Sequence, residues 1–170
     1  MKTLYIATAS EHGEGANPGL TDDGIAKIKA LRPLLPKNPT RAVVGAGERH
    51  RGVYIALGLD VAPTYWTSSV GGPEYLEKSR GQSMVVLANG RRVTRASYTT
   101  FMEGGGAMLA VLNNAIDGTI ICSDRAHMNM LGLREAKDGA LYSISFEGRL
   151  VDSCATNLDF QEVQAEPETA

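Results

Sequence analysis

Three short apolar runs, Leu4–Ala7, Ala42–Val44 and Thr119–Cys122, each end in a stretch of small or polar residues that opens a helix. This recurrence constrains the fold more than any other feature of the chain. Runs of this length suit buried strands, and strand, turn and helix in repetition read as βαβ units on a largely parallel sheet. In such sheets, sites gather at the carboxyl ends of the strands. The first repeat is the most informative. Thr8 to Gly19 shows no apolar period and concentrates Ser, Glu, His, Gly, Asn and Pro, as a functional loop does. Thr21 then reads as a helix N-cap, with Asp22 and Asp23 placed where the positive end of the helix dipole favours carboxylates.

The periodicity predicts a first helix from Asp22 to Leu35, with Ile25, Ile28, Leu31, Leu34 and Leu35 forming one stripe and Pro36 and Pro39 ending it. A second helix is predicted from Glu48 to Leu57, an extended piece from Val61 to Trp66, a third helix from Ala107 to Ala115 and a fourth from Ala126 to Glu135. Asn89-Gly90 between Met84–Ala88 and Arg91–Tyr98 signals a β-hairpin, because that dipeptide tolerates positive φ. Leu141–Phe146 and Arg149–Cys154 flank Glu147-Gly148 as a second hairpin. The expected architecture is α/β, a three-layer αβα arrangement with a mostly parallel central sheet and β-hairpin additions. A single domain is expected over residues 1–160, followed by a disordered acidic tail over 161–170.

The 170 residues are 43% hydrophobic and 21% charged, enough apolar content for one well-buried core. A net charge of -2 argues against nucleic acid and anionic membrane as partners, since both select basic faces. No stretch approaches the length of a membrane span, and the two cysteines, Cys122 and Cys154, show no metal-ligand spacing. A cytoplasmic protein with reduced thiols is expected, and neither a metal nor another cofactor is implied. Gly104 to Gly106 lack the Lys-Ser/Thr of a phosphate-cradling loop, and no Gly-x-Ser-x-Gly surrounds Ser10 or Ser123.

Four pieces, in order, resemble the histidine phosphatase superfamily, the phosphoglycerate-mutase-like fold. They are LYIA with the polar loop after it, LTDDGIAKIKAL, AVVGAGERHRGVYIALGL and TIICSDRAHMNML. LTDDG is the most specific; it is similar to the family's LTxxG helix start. The resemblance implies an α/β fold and phosphoryl-transfer chemistry through a phosphohistidine, with an Arg clamp on the phosphate.

This chain departs from the family where the chemistry would sit. In the simplest register the family's Arg-His-Gly falls on Thr8, Ala9 and Ser10, so the nucleophile position is alanine, which cannot attack phosphorus. The family's Ser-His-Gly falls on Ser123, Asp124 and Arg125, so the second histidine is aspartate. At about 4 Å that carboxylate opposes a phosphate by about 1 to 4 kcal/mol. A second register, with Glu11-His12-Gly13-Glu14 in place of Arg-His-Gly-Glu, would make His12 the catalytic nucleophile; the other reading of His12 is a solvent-exposed loop histidine, with Gly13 and Gly15 there for turn geometry. Arg49 matches the family's phosphate-binding arginine by its distance to Leu57-Gly58, with Arg51 as the alternate; the two arginines and His50 equally suit a solvated helix face. Arg125 suits either a pair with Asp124 across the pocket or a cap on a neighbouring carbonyl. Glu74 and Glu103 are the available acids in the middle of the chain.

Two functions lead at this stage, ahead of a purely structural or assembly subunit. One is a catalytically degenerate family member that binds a small anionic molecule or a protein partner at a pocket lined by Thr8, Ser10, Glu11, Arg49, Arg51, Asp124 and Arg125. The other is an active phosphohydrolase on small phosphorylated substrates, with His12 as nucleophile.

Overall fold

A computed structural model describes residues 1–15, 17–67, 69–72, 84–86, 92–94, 106–150 and 158–165. The strands are β1 (Lys2–Thr8), β2 (Arg41–Gly45), β3 (Pro63–Thr67), β4 (Met84–Val86), β5 (Arg92–Thr94), β6 (Thr119–Ser123), β7 (Leu141–Phe146) and β8 (Phe160–Glu162). The helices are α1 (Asp22–Lys29), α2 (Glu48–Leu57), α3 (Gly106–Asn114) and α4 (Arg125–Met130), with a 3-10 turn at Arg32–Leu34. Six strands form one sheet in the order β3-β2-β6-β1-β7-β8. β1, β2, β3 and β6 run parallel to their neighbours in this set, while β7 is antiparallel to β1 and β8 to β7. The α/β class and the mostly parallel centre therefore stand as the three apolar runs predict.

Alternation along the strands sends side chains to two apolar clusters. Leu4 and Ile6 of β1, Val43 of β2 and Ile121 of β6 join Met108 and Leu112 of α3 and Met128 of α4. Ala7, Ala42, Val44, Ile120 and Cys122 join Ile28 of α1 with Val53 and Leu57 of α2. Each large apolar side chain buried this way contributes about 1.5 to 3 kcal/mol. Burial on both faces is why these runs are continuously apolar rather than alternating.

The Thr21 hydroxyl accepts from the Gly24 amide at 3.1 Å, as an N-cap does. Gly24 itself is required by contact. A Cβ there would lie 2.1 Å from the Glu11 carbonyl oxygen and 3.0 Å from Ser10 Oγ, so the first turn of α1 packs directly on the loop after β1. That contact gives the glycine of LTDDG its physical reason.

Several boundaries differ from expectation. α1 ends at Lys29 rather than Leu35, because Pro33 has no amide hydrogen and its ring would meet the Lys29 carbonyl. α4 ends at Met130 rather than Glu135, where Gly132 turns to φ 94°. β7 pairs with β1 and with β8; of its expected hairpin partner Arg149–Cys154, residues 151–154 lie outside the described ones. Gln161 and Glu162, assigned above to a disordered tail, belong to β8, where Gln161 faces Ser143 and Glu162 faces Tyr142. β4 and β5 do form an antiparallel pair. In this pair Val86 faces Arg92, and the expected Asn89-Gly90 turn falls in the connection between the two strands. Residues 87–91 lie outside the described residues. Among the described residues no helix is long and apolar enough to cross a membrane.

Candidate functional site

Because β1, β2 and β6 are parallel neighbours, their carboxyl ends deliver three connections to one edge of the sheet: Ala9 to His12, Ala46-Gly47 with the first turn of α2, and Asp124. The Ala9 amide donates to the Ser123 carbonyl at 2.9 Å, which fixes the first loop beside the third. Ser10 is buried and donates its hydroxyl to the Gly24 carbonyl at 2.7 Å, tying the loop to α1.

Asp124 is the centre of the site. Its Oδ1 accepts from the His127 amide at 2.9 Å, making it the N-cap of α4, and from His127 Nδ1 at 2.8 Å. Its Oδ2 accepts from Arg49 Nη2 at 3.1 Å and from His50 Nε2 at 2.8 Å. All three partners are buried, Arg49 to 2% exposure and His50 to zero. Burial works to raise the Asp124 pKa, but the His127 imidazole and its hydrogen bond, with the His50 hydrogen bond, outweigh it. The carboxyl is held well below the ordinary carboxylate range.

His50 has a fixed tautomer. Its Nδ1 accepts from the Gly47 amide at 3.1 Å, so Nε2 carries the hydrogen donated to Asp124. Burial lowers its pKa, against the pull of Asp124, and the ring sits neutral. Glycines at 45, 47 and 71 make the cage: a Cβ on Gly45 would come within 2.5 Å of the ring, on Gly47 within 2.9 Å, and on Gly71 within 2.4 Å. The Ala46 amide donates to the Gly71 carbonyl at 2.7 Å, and the Ser123 hydroxyl donates to the Val70 carbonyl, so residues 70–71 close over the ring from outside the sheet edge.

A cavity of about 380 Å³ opens above this network. Its walls are Ala9, Ser10, Glu11, His12, Arg49, Asp124, Arg125, Ala126, Asn129 and Asp138. Six of the expected site residues therefore meet there: Ser10, Glu11, His12, Arg49, Asp124 and Arg125. Two do not. Thr8 is buried with its hydroxyl donated to the Lys137 carbonyl at 2.7 Å, and Arg51 is half exposed and paired with Glu48 at 3.3 Å. The solvated-face reading of Arg49 and His50 is corrected by their burial, and Arg125 pairs with Asp138 at 3.7 Å rather than with Asp124. His12 is exposed, with Nδ1 3.0 Å from the Gly13 carbonyl and its backbone bridged to Leu20. Glu74 and Glu103 lie outside the described residues. Arg125 and Asp138 also border a larger open groove of about 680 Å³ beside α1 and β8.

Sequence reasoning missed His50, His127, Asn129 and Asp138. His50 had a signal, since its three-residue offset from Gly47 lets its ring reach back to that amide at the start of α2. Among the described residues no group of three His, Cys, Asp or Glu side chains is arranged to hold a metal ion.

No family model matches the sequence, and no curated protein is similar to it. Solved structures are. The protein TTHB049 from Thermus thermophilus superposes with a TM-score of 0.55 at 13% identity, over 88% of this chain and 98% of that one. Phosphoglycerate mutase from the same organism gives 0.55 at 12% identity, over 96% and 99%. A SixA-type phosphohistidine phosphatase from Nakamurella multipartitia gives 0.54 at 16% identity, over 96% and 95%. The chain has the fold of the histidine phosphatase superfamily, that of phosphoglycerate mutase and SixA.

Proposed function

We propose that this protein is a catalytically degenerate bearer of the histidine phosphatase fold that binds a small polar molecule in the cavity at the strand ends, without phosphohistidine chemistry. The observation that carries the reading is Ala9. It follows β1 directly, lines the cavity beside Arg49 and Asp124, and offers a methyl group where a covalent step needs an imidazole. The walls mix charges, with Glu11, Asp124 and Asp138 against Arg49 and Arg125. An anionic group on the ligand meets Arg125 at the rim. A cytoplasmic setting suits the free, buried Cys122 thiol, which burial pushes up and keeps protonated.

A second reading has one observation in its favour. His12 lines the same cavity as Arg49, so a phosphohydrolase with His12 as nucleophile has its two principal parts on one wall set. Hydrolysis of an aryl phosphate by the wild type and by His12→Ala, across about pH 4 to 8, separates the two. Binding without catalysis predicts no turnover above the buffer rate in either protein. Turnover that His12→Ala abolishes would replace this reading with the enzymatic one.

A further inference from the structure

The cavity floor is a converging set of donors already satisfied from within. Two oxygens of one carboxylate receive four hydrogens: a guanidinium and an imidazole N–H from α2, a backbone amide and a second imidazole nitrogen from α4. The side chains of Arg49, His50 and His127 are 3%, 0% and 2% exposed, so these donors are preorganised and shielded from water. Several charge-assisted donors aimed at one point, out of water, are what protein sites present to oxyanions.

We infer that Asp124 is the specificity-determining residue of the cavity: its carboxylate fills the anion seat formed by Arg49, His50 and His127, so the floor excludes inorganic phosphate and phosphate esters. The inference deepens the binding role proposed above and rests on it. A second anion brought to the floor would face the Asp124 charge at close range, while the guanidinium that would attract it is already neutralised at 3.1 Å. Ligand recognition then falls to the exposed groups of the rim, Glu11, His12, Arg125, Asn129 and Asp138. A neutral or zwitterionic molecule fits such a rim; a phosphate monoester does not fit the floor.

The test is titration of inorganic phosphate and of formate into the wild type, Asp124→Ala and Asp124→Asn, by calorimetry and by thermal melts. Formate stands in for the deleted carboxylate. Asp124→Ala should bind phosphate at least about tenfold more tightly than the wild type and melt at a higher temperature as either anion is added. Asp124→Asn, whose amide still fills the seat, should lose stability and gain no anion affinity. A merely structural role for Asp124 would destabilise both variants alike, with no anion rescue. Should Asp124→Ala fold only poorly, its refolding yield serves instead: recovery that rises with phosphate or formate supports the inference, and recovery indifferent to both overturns it. Wild-type protein binding phosphate as tightly as Asp124→Ala also overturns it. None of these outcomes involves turnover, so failure here stays distinct from the His12-dependent hydrolysis that would overturn the binding role.

Discussion

Gly71→Ala is the substitution whose cost the structure sets most directly. The added Cβ would stand 2.4 Å from His50 Nε2 and 2.5 Å from Cε1, about 1 Å inside ordinary van der Waals contact. The ring cannot retreat, because Gly45 and Gly47 border its other sides and its two nitrogens are bonded to the Gly47 amide and to Asp124. Overpacking of a buried site costs about 1 to 3 kcal/mol, and losing a hydrogen bond to a charged group about 1.5 to 3 more. Partial relaxation of the 70–71 segment shares the strain, so about 3 to 5 kcal/mol in all is expected, a large part of a typical domain's total stability. Urea unfolding followed by circular dichroism measures it. Gly19→Ala is the control, since nothing lies within 4 Å of its added carbon, and it should stay within about 0.5 kcal/mol of the wild type. A double-mutant cycle with His50→Ala should recover part of the loss, because the clash disappears with the ring. Gly71→Ala as stable as Gly19→Ala would refute the caged placement of His50.

Stability should also depend on pH in a defined direction. His50 is buried neutral with its pKa lowered, so below its ordinary value near 6.5 the unfolded chain binds the extra proton and stability falls as pH drops from about 7 toward 5. Asp124, held below the carboxylate range, adds stability that is present above about pH 4 and lost as pH falls further. Urea midpoints should fall less steeply in His50→Gln than in the wild type over that same imidazole range; parallel curves for the two proteins would contradict the neutral, buried ring. Gly24→Ala tests the α1 contact: propensity alone favours alanine in a helix by about 1 kcal/mol, yet the 2.1 Å approach to the Glu11 carbonyl should make the variant less stable by about 2 kcal/mol or more, read as a lower melting temperature.

The sequence by itself determined the elements that bury apolar surface on both faces. Leu4–Ala7, Ala42–Val44 and Thr119–Cys122 have no solvated side to spare, and the hydrophobic effect leaves a central parallel sheet as their stable arrangement. It also determined the start of α1, because the Thr21 cap and the acidic first turn act over a few residues. Local rules overran the helix ends, where Pro33 and Gly132 prevail over the apolar period. They also missed β8, whose three residues gain a strand conformation only from the open edge of β7. The site divides in the same way. Chain order alone places Ala9, Arg49 and Asp124 at strand ends, and hence at one edge. Only the tertiary structure decided that Arg49 turns inward onto Asp124, that Arg125 turns away to Asp138, and that His50 and His127, 77 positions apart on different helices, meet on one carboxylate. Those choices depend on which donors a buried charge can reach once water is excluded, and that is a property of the packed chain rather than of any segment within it.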